Sequence, residues 1–271
     1  MAIIDLNGII AGIKQPIVFN KTASRTSVAS IPFSVFDLAG NPGAGTLAVG
    51  NTANGIVPSD AQAGVPVINA FSGANIGYLS RVDFSNTVAS RLFIYDRLFS
   101  AGAFVFNANV ALTSQPSYDS RVTFDVNGTP TIDYKGLEIW IEAVTAFTGN
   151  QSIAVTYTNQ GGTTARTTGT IATGAAPIVG RMLRLPLQAG DTGVQKIESV
   201  VSSVSTVGTF NVHVMRKLWC GRVKFANDGD IHEFTKTGMK QVFADSSLFY
   251  IVQADSTSTG IPTIDIDIVN G

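Results

Sequence analysis

Residues Ser152 to Ile171 read SIAVTYTNQGGTTARTTGTI. Ile153, Val155 and Tyr157 alternate with Ser152, Ala154 and Thr156, and a period of two sends successive side chains to opposite faces of a sheet. Gly161-Gly162 break the run, and strand-forming threonines resume after them, which is the pattern of a hairpin. The segment holds no acid, no histidine and no cysteine. Its wet face offers hydroxyls, an amide and Arg166, groups that make hydrogen bonds across a surface and supply no tuned general base.

The same period recurs on both sides. Leu137, Ile139 and Ile141 share one face of LEIWIEAV, with Glu138, Trp140 and Glu142 on the other. Phe210, Val212 and Val214 alternate with Asn211, His213 and Met215, and Ile264, Ile266 and Ile268 with Asp265, Asp267 and Val269. Phe104, Phe106, Ala108 and Val110 alternate with Val105, Asn107 and Asn109. Val122, Phe124 and Val126 alternate with Thr123 and Asp125, and Asn127-Gly128 then offers a tight turn. Turns separate these runs at the interval of sandwiches and barrels. One run, SNTVASRLFIYDRLF (Ser85 to Phe99), reads as a helical turn feeding a strand. The expected fold is all-β, an antiparallel β-sandwich of jelly-roll kind with residues 91–271 as its body. There is no fixed-period repeat.

Residues 1–90 read differently. GNPGAG (Gly40 to Gly45), NTANG (Asn51 to Gly55) and DAQAGVP (Asp60 to Pro66) separate short apolar runs such as PIVF and IPFSVF. Glycine and proline at this density exclude long helices. The expectation is an extended N-terminal arm with a few short strands, held against the body or a neighbouring subunit, with one turn of helix in DAQAGVPVINAF.

The chain of 271 residues is 45% hydrophobic and only 14% charged, with net charge −1. Disorder needs the opposite balance. A surface poor in charge repels its neighbours weakly and suits close packing. Nothing in the charge invites nucleic acid or an anionic membrane. Cys220 is the only cysteine, so an intrachain disulfide and a CxxC metal cluster are excluded. It reads as a small buried apolar residue. The start, MAIIDLNGIIAGIKQPIVF, is apolar but lacks a basic leader region and is broken by Asp5, and no stretch has the length to span a bilayer. The expectation is synthesis in a cytoplasm without export.

Candidate chemistry is sparse. His213 and His232 lie at strand-like positions without a GxSxG elbow, and His213 is expected at an exposed or interface position; a Ser-His-Asp arrangement is recognised by geometry alone. Asp265 and Asp267 share a strand face, and Asp228 and Asp230 form a second close pair; neither has the third acid or the glycine of a calcium loop, so a solvated strand face and a loop are the plain readings. NQGGTT (Asn159 to Thr164) lacks the lysine and following helix of a phosphate loop, and GANIG (Gly73 to Gly77) lacks the parallel-strand context of a dinucleotide site. Lys236 and Lys240 are balanced by Glu233 and Asp245. Trp140 suits a protein interface or a second core layer, and a sugar platform only if exposed. An enzyme would need Asp119, Asp125, Glu138 or Glu142 to converge in one cleft. No catalytic, cofactor or metal residue is assigned.

Three stretches carry a family resemblance. LFIYDRLFSAGAF (Leu92 to Phe104), AVTYTNQGGTTART (Ala154 to Thr167) and RMLRLPLQAGDTGVQKIESV (Arg181 to Val200) are similar, in order and spacing, to segments of a family of tailed-bacteriophage virion structural proteins. The resemblance spans about Leu92 to Leu218. It implies a non-enzymatic virion component made in the host cytoplasm, foremost a capsid decoration or cement protein. Such a protein would bind the major capsid protein lattice as a trimer or dimer, without nucleic acid or membrane. A tail, neck or baseplate component and a host- or carbohydrate-binding module are the alternatives. Read without the family, GDTGV (Gly190 to Val194) is a turn in which Asp191 bonds its own backbone.

Overall fold

The computed structural model describes every residue except 1–2, 4, 74–75, 108, 127–128, 175–176 and 204–206. The expected Asn127-Gly128 turn, Ala108 and part of GANIG therefore lie outside the described residues.

In chain order the elements are α1 (Leu6–Ala11), β1 (Ile13–Lys21), β2 (Pro32–Ser34), β3 (Gly40–Asn41), β4 (Asn51–Ile56), β5 (Gly77–Asn86), β6 (Ser90–Val105) and β7 (Asn109–Ala111). A 3-10 turn (Asp119–Arg121) leads to β8 (Thr123–Val126), β9 (Thr129–Ile132), β10 (Leu137–Thr145), β11 (Ser152–Asn159), β12 (Arg166–Thr167), β13 (Ile171–Ala172) and β14 (Met182–Leu185). β15 (Val194–Ser202), β16 (Thr209–Val223), β17 (Asp228–His232), α2 (Phe234–Thr237), β18 (Gln241–Val242), β19 (Leu248–Ala254) and β20 (Thr263–Asn270) complete the chain.

All strand pairings are antiparallel. The central sheet has the order β14-β10-β16-β6-β19-β2, with β4 on β6. Its backbone is the long pair β6 and β16, of 16 and 15 residues. A second sheet, β17-β5-β20-β1-β3 with β18 on β5, covers one half of the central sheet. A third, β12-β11-β15-β7 with β13 on β11, covers the other half. The result is two antiparallel sandwiches sharing one sheet, an all-β jelly-roll-like architecture.

Each sandwich has its own core. In the first, Ile17, Phe19, Leu79, Val82, Phe84, Ile264, Ile266 and Ile268 meet Leu92, Ile94, Trp219, Leu248 and Tyr250. In the second, Ile153, Val155, Tyr157, Ile197 and Val200 meet Leu137, Ile139, Ile141, Val212 and Val214. Thus the apolar sets read from the alternating runs are the cores, and NQGG is the hairpin turn expected: Asn159 Oδ1 accepts from the amides of Gly161 and Thr163.

Residues 1–90 are held by the body of their own chain. β1 pairs with the C-terminal β20 from Ile13–Asn270 to Asn20–Thr263, and β5 lies between β20 and β17. A boundary at residue 90 would cut the second sheet apart, so the extended-arm reading is corrected. Its physical reason is visible in β1, where Ile17, Phe19 and Lys21 face inward. Lys21 is buried and donates to the carbonyls of Leu38 and Pro42.

Much of the outer face of the central sheet is covered as well. Phe36 and Val65, from the chain that crosses this face, form a third core with Tyr95, Trp140, Met182, Met215, Phe249 and Ile251. Trp140 is therefore core, donating to Glu138 at 2.8 Å. The helical reading of Ser85–Phe99 is corrected too: this stretch ends β5 and forms most of β6. β6 is buried on both faces, so its sequence lacks clean alternation. DAQAGVP forms turns and no helix, while α1 and α2 lie in stretches read as irregular.

Candidate functional site

The motif Tyr95-Asp96-Arg97 at the middle of β6 distributes its side chains to both faces. Asp96, on the core side, is wholly buried. It accepts from Arg121, from Arg216 at 3.2 Å, from Ser246 Oγ at 2.9 Å and from the Ser247 amide at 3.1 Å. Burial pushes its carboxyl up, and the two guanidinium charges more than offset this, holding it below the ordinary range. Arg121 also donates to the carbonyls of Pro58 and Asp245. This cluster joins the two sandwiches.

On the opposite face lies a second buried cluster, built from β2, β6, β10 and β16. Ser100 Oγ is 2.8 Å from His213 Nδ1, and His213 Nε2 is 3.1 Å from Glu142 Oε2. Ser34 donates to Glu142 Oε1 at 2.5 Å, and Asn211 to Oε2 at 3.3 Å. Ser34, Ser100, Glu142, Asn211 and His213 are all fully buried. Burial raises the Glu142 carboxyl, but the bonds from His213 and Ser34 and the nearby Arg97 charge bring it below its usual range. Burial lowers the His213 imidazole by more than Glu142 raises it. Both directions leave an ionised carboxylate beside a neutral imidazole at neutral pH. Gly102 is confined by this cluster: a Cβ there, at φ +154, would lie 2.1 Å from Asn211 Oδ1.

Beside Ser100 the strap of residues 46–63 arches over a cavity of about 220 Å³, walled by Phe36, Val49 and Ile56, with Thr46, Ala48 and Ala63 exposed at its rim. Arg97 and Ser100 line it from the sheet side. Arg97 lies over the rings of Phe36 and Phe249 and donates to Gln62 at 2.9 Å, while its buried Nε has no hydrogen-bond partner among the described residues. Burial lowers its pKa to about 10, so it stays charged at neutral pH.

Sequence reading weighed His213 and Glu142 as candidates, assigned no site residue, and expected His213 at an exposed or interface position. The structure corrects that position: His213 lies under the strap. The four acids considered for a cleft do not come together. Glu138 takes Tyr95, Trp140 and Arg184, Glu142 takes His213, and Asp119 takes Tyr134. Asp228 and Asp230 lie on the edge strand β17, not in a loop. Asp265 faces Asp83 across the sheet, and burial together with that neighbouring charge pushes its carboxyl up. No metal-holding group of three His, Cys, Asp or Glu occurs among the described residues. His232 accepts from Trp219 Nε1 at 3.0 Å and lies 3.6 Å from Asp230, and Lys236 is 3.8 Å from the same acid. Cys220, expected inside, is exposed on the outer face of β16, with partial burial pushing its thiol up.

Two of the three family-like stretches meet at Asp191. Its carboxylate accepts from Arg166 Nε at 2.9 Å, Asn159 Nδ2 at 2.7 Å and Tyr157 Oη at 2.8 Å, rather than from its own backbone. The Arg166 bond leads in lowering its pKa from 3.8 to about 2. Such a depressed carboxylate stabilises the fold above its unfolded pKa, and that contribution is lost as pH falls through about 2. Asp191→Asn is therefore expected to melt below the parent at neutral pH, with the gap closing as pH falls towards the folded value. Thermal melts across pH check this, and a gap independent of pH would refute it.

Comparison with protein-family models finds no match, and comparison with curated proteins finds none. Solved structures that align include three from infectious bursal disease virus. The Gt strain does so at 10% identity over 96% of this chain and 81% of that chain, with TM-score 0.18. The Gx strain does so at 9% over 96% and 80%, with TM-score 0.16. The VP2 subviral particle of the same virus aligns at 11% over 95% and 79%, with TM-score 0.17. Likeness at that level does not define a common fold.

Proposed function

We propose that this chain is a structural component of a tailed-bacteriophage particle, a capsid decoration or cement protein that binds the head lattice as an oligomer. The observation that carries an assembly role is the N-terminal helix. α1 buries none of its own side chains, and Leu6 and Ile10, one turn apart, are 53% and 68% exposed, followed by Ile13 at 65%. A short helix with no fully buried residue gains little stability from tertiary packing. An exposed apolar stripe of this kind marks a contact surface for another protein. The low charge of the chain supports close packing, and lattice binding multiplies modest contacts. The phage assignment rests on the sequence resemblance, whose stretches supply β6 and the Asp191 junction.

Leu6→Ser with Ile10→Ser is expected to lower occupancy on the particle at least tenfold while leaving the melting temperature unchanged. Cryo-EM of reconstituted particles reads this directly. Density repeating over the head lattice supports decoration, and density confined to the tail, neck or baseplate replaces it with joining or host contact. Absence from the particle, or full occupancy of the double variant, overturns the reading.

A further inference from the structure

Three arginines are buried among the described residues, Arg97, Arg121 and Arg216. A charge taken out of water is normally matched by an opposite one. Arg121 and Arg216 both bond Asp96. Arg97, only 4% exposed, bonds neutral oxygens alone among the described residues, Gln62 Oε1 at 2.9 Å and Ser247 Oγ at 3.4 Å, both through Nη2. The acids whose charge it feels are already engaged. Glu142 holds Ser34, Asn211 and His213, and Asp96 holds the other two guanidiniums.

Nε–H and Nη2 share one edge of a guanidinium, and a carboxylate meets such an edge with two parallel hydrogen bonds. In Arg97 that edge is half used. Nη2 holds the Gln62 amide oxygen, and Nε–H has no partner among the described residues. Nε is unpartnered in Arg121 and Arg216 as well, but Asp96 already matches their charge. The way to the edge is through Gln62. That side chain is half-buried on the strap between the exposed Ala61 and Ala63, and it lines the same cavity as Arg97. A molecule in the cavity that displaces the Gln62 oxygen takes its place against the guanidinium.

We propose that the cavity beneath the strap binds a small apolar monocarboxylic acid, its carboxylate held on Nε and Nη2 of Arg97 where the Gln62 amide now sits. Phe36, Val49 and Ile56 supply apolar walls, and no acid lines the cavity among the described residues. An apolar cavity of about 150 Å³ holds benzene. At about 220 Å³, this one has room for a ring or a short branched chain and its carboxylate. One guanidinium borders the cavity, so one negative charge is matched, and the second charge of a phosphate dianion would be left among apolar walls. The site is independent of where the protein sits in a particle.

The test is isothermal titration calorimetry of the full chain, at two temperatures, with sodium benzoate and sodium isovalerate, each set against its neutral amide. One saturable site per chain is expected for the acids. The amides, which offer one acceptor oxygen and no charge, are expected to bind about tenfold more weakly or worse. Arg97→Lys keeps the charge and loses the fork, and is expected to weaken benzoate by about tenfold or more. Gln62→Ala removes the internal competitor and is expected to bind benzoate about two- to tenfold more tightly, the worth of one neutral hydrogen bond. A merely structural role for Gln62 would not tighten binding. Ala63→Trp plugs the rim and is expected to abolish binding with an unchanged melt. If Arg97→Lys does not fold, the two strap variants decide the matter. No saturable binding of millimolar acid to the folded parent, amides that bind as tightly as the acids, Gln62→Ala no tighter than the parent, or Ala63→Trp without effect would each overturn the assignment.

Discussion

Asp96→Ala is expected to lower stability by about 3–5 kcal/mol, the cost of breaking a buried ion pair from one side. The lost carboxylate serves Arg121 and Arg216 at once and accepts two further bonds, from Ser246 and the Ser247 amide. Its removal strands two guanidiniums between the cores, Arg121 wholly buried and Arg216 9% exposed. Against a total stability of about 5–15 kcal/mol for a domain, that loss removes a large fraction. Urea denaturation would show it as a displaced midpoint. Replacing the whole set by apolar side chains, Asp96→Leu with Arg121→Met and Arg216→Met, should recover much of the loss, since no charge is left unpaired. A midpoint for Asp96→Ala equal to the parent's would show that the cluster does not hold the sandwiches together.

What the sequence disclosed follows from burial on one face. Ile153, Val155 and Tyr157, or Ile264, Ile266 and Ile268, alternate because their other neighbours point away from the core, so both strand and core face are readable. β6 is covered on both sides, so LFIYDRLFSAGAF reads as one apolar run with a helical overtone. Pairing partners were hidden by distance along the chain: β1 finds β20 at the far terminus, and a period of two carries no record of that.

The site was hidden by the same double covering. Asn211, His213 and Met215 alternate with a core set and so read as a wet face. Two signals bore on it. Trp140 and Met215 lie on that face, and neither residue is typical of open surface. The strap that covers it comes from Gly-rich sequence whose turns conceal Phe36 and Val65, the residues that dock it. Asp191 was misread for a different reason: its partners Tyr157, Asn159 and Arg166 come from the neighbouring hairpin, and turn chemistry alone supplies a local alternative.

Deleting residues 1–80 is expected to abolish folding. An arm would leave the body intact when removed, but here the deletion takes β1 and the first part of β5 out of the middle of a sheet. Ile17, Phe19, Phe33, Val35, Phe36, Val65, Ile68 and Leu79 are all buried. Each such side chain contributes about 1.5–3 kcal/mol on burial, and together they are comparable with or larger than the whole stability of about 5–15 kcal/mol. The deletion also uncovers Ile264, Ile266 and Ile268 of β20 and strips the strap from Trp140 and Phe249, leaving long apolar strands with open edges that aggregate. The expected product is insoluble, or soluble without a cooperative melt. A deletion stopping before Ile13 removes only α1 and should keep the cooperative melt while losing assembly. If the longer deletion instead melts cooperatively near the parent temperature, the second sheet is dispensable, and residues 1–80 are an arm after all.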